Sequence, residues 1–313
     1  MSKLIDRVVE AGLLSEIPYA VIESIEKIEI SNISKFMYEL SGQEDWTASD
    51  FPNIAPPHRE FWIATAAPKT VVQDGVNVPW ASGGNQICGW GFLVIAFSDD
   101  YPERAATMRR YVESFPLEVQ DRIKWVLLMK PYLDFIGQGP AKPEVNYVVP
   151  IDEAGRLIQP EGGKGSYISV QPYDTPKSRM KMTSERCATI FKFANPMFLA
   201  LSFMHVKNRE IVTNNTPDKL QKARVRRGKL PLFSYRTIVV DPIRKMLIEQ
   251  GKMGSSGIKM ALHKCRGHFK EFTDKLLFGK FKGSYWWDPH LRGREKNGIS
   301  EHDYEVRRGS EAA

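Results

Sequence analysis

The run QICGWGFLVIAF, residues 86 to 97, carries no charge and is apolar almost throughout. A stretch of this kind has to be enclosed by the fold. Its β-branched and aromatic content predicts a strand, and Gly89 and Gly91 within it predict a bulge or turn. Just upstream, FPNIAPPHREFWIATAAP sets a second strand, around Phe61 to Thr65, between proline clusters. Two strands of an N-terminal sheet are therefore expected.

Helical spacing comes before them. Leu4, Ile5, Val8, Val9 and Gly12 recur at helical intervals, and SNISKFMYEL restarts the pattern with Ser31 as an N-cap, so the first 45 residues read as short helices. YPERAATMRRYVESF and PLEVQDRIKWVLLMKPYLDFI also read as helices, each opening near a proline, and should pack over the sheet. EVNYVVPIDEAGRLIQP reads as strand, turn and strand, and GSYISVQPY as a further strand. Residues 184 to 206, SERCATIFKFANPMFLALSFMHV, predict the most buried helix, kinked before Pro196, with Met197 and Met204 in the core.

At 313 residues and 42% hydrophobic, the chain can bury a substantial core, which excludes a largely disordered protein. The three cysteines, Cys88, Cys187 and Cys265, are too few and too scattered for a disulfide framework, and each is expected as a small buried hydrophobe. Charges interrupt every apolar run of MSKLIDRVVEAGLL, so no signal peptide is expected. No window approaches the roughly 18 to 20 apolar residues of a membrane span. The expected setting is the cytoplasm, with no membrane partner.

The net charge of +7 is unevenly spread. Lys219 to Arg294 holds 19 Lys and Arg against 5 Asp and Glu, a balance of +14, and the rest of the chain carries −7. Concentrated positive charge is the footprint of a polyanion partner, of which nucleic acid is the commonest.

Within that region KLQKARVRRGKLPLF predicts a helix from Lys219, ended by Gly228 and Pro231 before a strand at Phe233 to Val240. Lys222 and Arg226 share a helical face, and Arg224, Arg227 and Lys229 complete a basic arm. IRKMLIEQGK can form one helix, MGSSG a flexible join, and IKMALHKCRGHFKEF and GSYWWDPHLRG the last two strands. The tail after Arg294 looks frayed.

HKCRGHFKEF first suggests metal. A strand from Ile258 to Phe269, however, sends His263 and Cys265 to one face and Lys264, Arg266, His268 and Lys270 to the other, and H-x-C-x2-H is not a zinc spacing. No metal or cofactor is expected. The second face suits phosphate: Arg266 offers a bidentate fork and His268 a hydrogen bond. Arg292 adds a cation, and Trp286 is a candidate platform for stacking unpaired bases. A second chemistry stays open, a metal-independent ribonuclease with His268 and His290 as the acid and base pair.

LQKARVRRGKLPLFSYRTIVV, LHKCRGHFKEF and GSYWWDPHLRG together resemble a family of phage, prophage and plasmid proteins. Its members share a KxRxRRGKxPLxxY arm, a C-terminal HxxRGH element followed by an aromatic, and a closing aromatic strand. The family includes a type V-A anti-CRISPR protein. The resemblance implies mobile-element origin and, for the anti-CRISPR branch, interference with production of a host-defence effector at the mRNA or nascent-chain level. Cys265 stands where relatives commonly have Arg, and the FGKFK insert, residues 278 to 282, is a further departure.

The sequence thus predicts an α+β protein: N-terminal helices with a mixed or antiparallel sheet over 1–183, a buried helix and connector over 184–216, a basic β-rich region over 217–294, and a polar tail over 295–313. The expected function is RNA binding that modulates host gene expression or defence, with RNA or another nucleic acid, and a host defence or translation component, as partners. A non-enzymatic inhibitor docking an acidic host protein makes the same demand on the basic face.

Overall fold

The computed structural model describes residues 3–40, 50–67, 70–73, 76–79, 87–143, 145–160, 167–172, 191–240, 261–265, 268–277, 279–287, 290–292 and 294–299. The fold is α+β. The chain divides into two compact units, one of residues 1–205 with 209–239 and one of 206–208 with 240–313.

The first unit opens with α1 (Leu4–Glu10) and α2 (Tyr19–Ser24), a short strand β1 (Glu26–Glu29) that the helical reading of this region missed, and α3 (Ser31–Leu40). Strands β2 (Glu60–Ala66), β3 (Thr70–Gln73), β4 (Val76–Pro79) and β5 (Ile87–Ser98) follow, then α4 (Ala105–Val112) and α5 (Leu117–Gln120). Next come β6 (Trp125–Phe135), β7 (Gly139–Ala141), β8 (Val145–Ile151) and β9 (Ser169–Pro172), then α6 (Asn195–Met204), β10 (Arg209–Asn214), α7 (Asp218–Arg226) and β11 (Tyr235–Val240).

Nine of these strands form one mixed sheet in the order β10-β11-β1-β2-β5-β6-β8-β9, with β7 also on β6. β1 is parallel to both β11 and β2, and the ladders from β2 through β5, β6 and β8 to β9 are antiparallel. At the centre of the sheet, Phe61 to Thr65 of β2 are all buried, as are nearly all of β5 and β6. Continuous burial is what a strand covered on both faces requires.

One face is covered by α1 and α2, whose Leu4, Ile5, Val8 and Ile22 pack with Trp62, Leu93 and Tyr132. On a second cluster, Met108 of α4 and Val119 of α5 meet Phe97, Val126, Leu128 and Val148. Strand alternation turns Trp90 to the opposite face. There its indole Nε1 donates to the Phe193 carbonyl at 3.0 Å. The Tyr147 and Phe191 rings lie 5.1 Å apart, and Phe191 continues to Phe198 of α6 at 5.8 Å. Every residue of α6 from Pro196 to Met204 is buried, Met197 and Met204 among them, as expected of a helix apolar all round. The helical run is broken by a turn at 193–194, directly before Pro196, where the kink was expected.

Three expectations need correction. The helix read across PLEVQDRIKWVLLMKPYLDFI holds only for α5; residues 125–135 are the central strand β6. A run buried on both faces has no polar side from which to tell helix from strand. Pro131 fits because β8 pairs Trp125 to Met129 and β7 pairs Leu133 to Phe135, so the residue lacking an N–H falls between the two partners on that edge. Ser31 does not act as a free N-cap: it opens α3 with its hydroxyl bonded to Glu29 and to the Ala66 amide. The basic arm, expected with the C-terminal region, belongs to the first unit, because β11 returns to the main sheet beside β1.

The second unit contains β12 (Ala261–Cys265), β13 (His268–Leu277), β14 (Phe281–Trp287), β15 (His290–Arg292) and β16 (Arg294–Ile299). β13 and β14 form an antiparallel pair, and β12 lies between β15, antiparallel, and β16, parallel. The helix expected over IRKMLIEQGK and the MGSSG join lie outside the described residues.

Candidate nucleic-acid interface

The arm is the more completely built of the two basic segments. Pro217 precedes α7, Asp218 complements the dipole in its first turn, and Arg224 and Arg226 lie in its last. The helix ends on a Schellman turn. Gly228, at φ +68°, donates to the Val225 carbonyl at 3.0 Å, and Lys229 donates to that of Arg224 at 3.1 Å. The RRGK sequence is therefore a stop signal as well as a set of charges.

Beyond the turn, the chain is stitched back. The Gln221 side chain donates to the Leu232 carbonyl at 2.6 Å and accepts from the Leu232 amide at 2.8 Å. The Phe233 amide donates to Asp6 Oδ1 at 3.0 Å. Burial raises the Asp6 carboxyl above its usual range, and the backbone donors of Phe233 and Lys3 partly offset this. Arg224 is consumed in the stitching: it pairs with Glu10 of α1 and donates from Nε to Leu230 O at 3.0 Å.

Lys222, Arg226, Arg227 and Lys229 are left exposed, joined by Lys219. Lys219, Lys222 and Arg226 follow the i, i+3, i+7 spacing of one helical stripe. Arg224, read from sequence as a fifth phosphate contact of the arm, instead anchors it to α1.

The C-terminal candidates are arranged differently. Within the strand expected from Ile258 to Phe269, β12 and the start of β13 are described, and Arg266 and Gly267 between them lie outside the described residues. In β12 and β15, His263 stands opposite Arg292, Lys264 opposite Leu291 and Cys265 opposite His290. In β13 and β14, His268 stands opposite Trp287 and Lys270 opposite Tyr285. His268 and His290 are therefore not cross-strand partners of each other.

The two faces of the β13–β14 pair can be told apart. One holds Tyr285 and Trp287, buried, with Phe272, Leu277 and Phe281 against them. Lys270 lies over the Trp287 ring, its Nζ 3.9 Å from the centroid, so this cation already has an aromatic partner. The other face pairs Phe269 edge-on with Trp286 at 4.8 Å. Trp286 is only 3% exposed, and Asn208 bonds both its amide, at 3.1 Å, and its carbonyl, at 3.3 Å. The residue chosen as a stacking platform is a core residue of this pair.

A buried polar cluster at the far end of β5 and β6 has no signal in the sequence pattern. The register shifts between Ile87 and Gly89, and this is the bulge that the glycine-rich run predicted. Cys88 is the extra residue, and its thiol donates to Asp134 Oδ2 at 2.9 Å. Asp134 is fully buried and paired with Arg7 of α1. Burial, and then the neighbouring Asp134 carboxylate, push the Cys88 thiol above its usual value. This makes it a hydrogen-bond donor rather than a nucleophile.

Among the described residues no three His, Cys, Asp or Glu gather as a metal site requires, and no helix is long and apolar enough to cross a membrane. In comparisons with known proteins, the chain matches no family model, no curated protein and no solved structure.

Proposed function

We propose that this protein binds single-stranded RNA through the α7 arm, and that as a product of a phage or other mobile element it uses this binding to modulate host gene expression or defence. The observation that carries the reading is the exposed row Lys219, Lys222, Arg226, Arg227 and Lys229 on a helix and turn held rigid by the Schellman cap and the Gln221 clamp. Cations fixed in place lose little side-chain and backbone freedom on binding a phosphate backbone, so more of the electrostatic attraction appears as affinity.

Ultraviolet crosslinking of the full chain to a labelled single-stranded RNA, followed by peptide mapping, tests it. The expected crosslinks fall on peptides spanning residues 213–236. Crosslinks confined to residues 261–299 would move the interface to the second unit, and none at all would leave an acidic protein as the partner of the basic face.

A further inference from the structure

A cavity of about 410 Å³ opens in the first unit beside the root of α7. It lies at the N-terminal ends of the parallel strands β1 and β11, where Glu26 and Lys27 face Tyr235 and Arg236, and is closed by Tyr19 and Glu23 of α2. Gln221 of α7, Thr213 of β10 and the Pro231–Ser234 segment complete the wall.

The charges inside largely balance. The Lys27 ammonium donates to the carbonyls of Ile22, Glu23 and Ile25 at 2.6 to 3.0 Å and sits 4.6 Å from the Phe233 ring centroid. With three donors and three acceptors, it is fully engaged. Arg236 pairs through Nε with Glu26 at 2.8 Å and keeps 41% of its side chain exposed. A cavity with two carboxylates and two cations has no net pull on a simple ion. What it offers is aromatic wall from Tyr19 and Tyr235, a carboxylate acceptor at its mouth in the exposed Glu23, and a volume in the range of small-molecule sites.

A flat ring with polar atoms along one edge fits that lining, and Arg236, with 41% of its side chain exposed, is the lining cation left to meet the attached phosphate. We infer that the cavity holds one unpaired nucleobase of a bound RNA, and that Glu23 selects a base presenting two adjacent donors, as guanine does on its N1 and N2 edge. Unstacked bases are held in this manner, by aromatic contact and by hydrogen bonds along one edge, in single-stranded RNA recognition. The inference rests on the RNA-binding reading and names the nucleotide that the arm presents.

Calorimetry of the full chain with GMP, AMP, CMP and UMP, run beside fluorescence anisotropy with an oligouridine and with the same oligomer carrying one central guanosine, tests it. GMP should bind more tightly than UMP. Glu23→Gln should weaken GMP binding about tenfold, the scale of a lost bidentate base contact, and remove the preference for the guanosine oligomer. Oligomer binding with no preference among nucleotides, unaltered by Glu23→Gln, would overturn the pocket assignment and leave the arm reading standing. Displacement of GMP by arginine amide at equal concentration would also overturn it, reassigning the cavity to a basic side chain. No oligomer binding by the parent chain, with GMP still preferred, would sink the arm reading and leave the cavity a site for a free nucleotide.

Discussion

Asp134 shows how much of a site can depend on one residue that its neighbours in sequence do not announce. It lies in PYLDFI, among apolar side chains, and its partner Arg7 comes from the first helix. Only the pairing of β5 with β6 and the docking of α1 bring the two together with Cys88. Truncating the cation leaves a buried carboxylate without its counter-charge, so Arg7→Met should lower stability by about 3–5 kcal/mol, read by urea denaturation. A loss below about 1 kcal/mol, the scale of an exposed pair, would show that Asp134 is not held by Arg7.

His205 makes the second residue-scale prediction. Its Nε2 donates to the Ala55 carbonyl at 3.0 Å, and burial holds the imidazole below its ordinary value of 6.5, with that hydrogen bond partly opposing. As pH falls through 6.5 the unfolded chain takes up a proton that the folded state refuses. His205 therefore withholds no stability above 6.5 and lowers it progressively below, until the folded pKa is reached. His205→Gln, which retains a donor for Ala55, should flatten the decline in stability between pH 6.5 and 5. An unchanged slope would place the acid sensitivity elsewhere.

At the scale of elements, legibility followed periodicity. Helices α1, α3, α4 and α7 and strands β2, β5, β8 and β9 could be read because their apolar spacing or flanking turns were distinctive. β6 could not, because a strand enclosed on both faces and a buried helix share the same apolar composition. β1 and β10 were also missed. The first is four residues long, and the second, at the sheet edge, is exposed along most of its length.

The glycines of β5 were readable in kind but not in reason. Gly91 faces Ala64 across the β2–β5 ladder, and a Cβ there would lie 2.8 Å from Ala64 Cβ and 2.9 Å from the Ile63 carbonyl oxygen. Gly91→Ala should therefore destabilise the sheet by about 1–3 kcal/mol, measured by thermal or chemical denaturation. A denaturation midpoint equal to that of the parent would mean that the strands can part at no cost.

At the scale of the whole molecule, the charge segregation was legible from composition alone, but its division was not. The +14 segment reads as one basic region in sequence. In the fold it is cut, since β11 carries the arm into the main sheet while β12 to β16 belong to the second unit. Parallel pairing of β1 with β11 joins residues far apart in the chain, and no local pattern encodes it. Lys222, Arg226, Arg227 and Lys229 belong to the first unit and Lys264, His268, Lys270 and Arg292 to the second, and the proposed RNA contact is made by the first set.

The salt dependence of RNA binding tests that claim most directly. Each phosphate neutralised on a single strand contributes about −0.7 to the slope of log K against log salt, so four to five arm contacts give a slope of about −3. Fluorescence anisotropy of the full chain with an oligouridine, from low to moderate salt, should show that slope. The triple variant Lys222→Ala, Arg226→Ala, Arg227→Ala should reduce its magnitude by about 2 while the far-ultraviolet circular dichroism stays unchanged. A variant that binds as tightly and with the same slope as the parent would contradict the account.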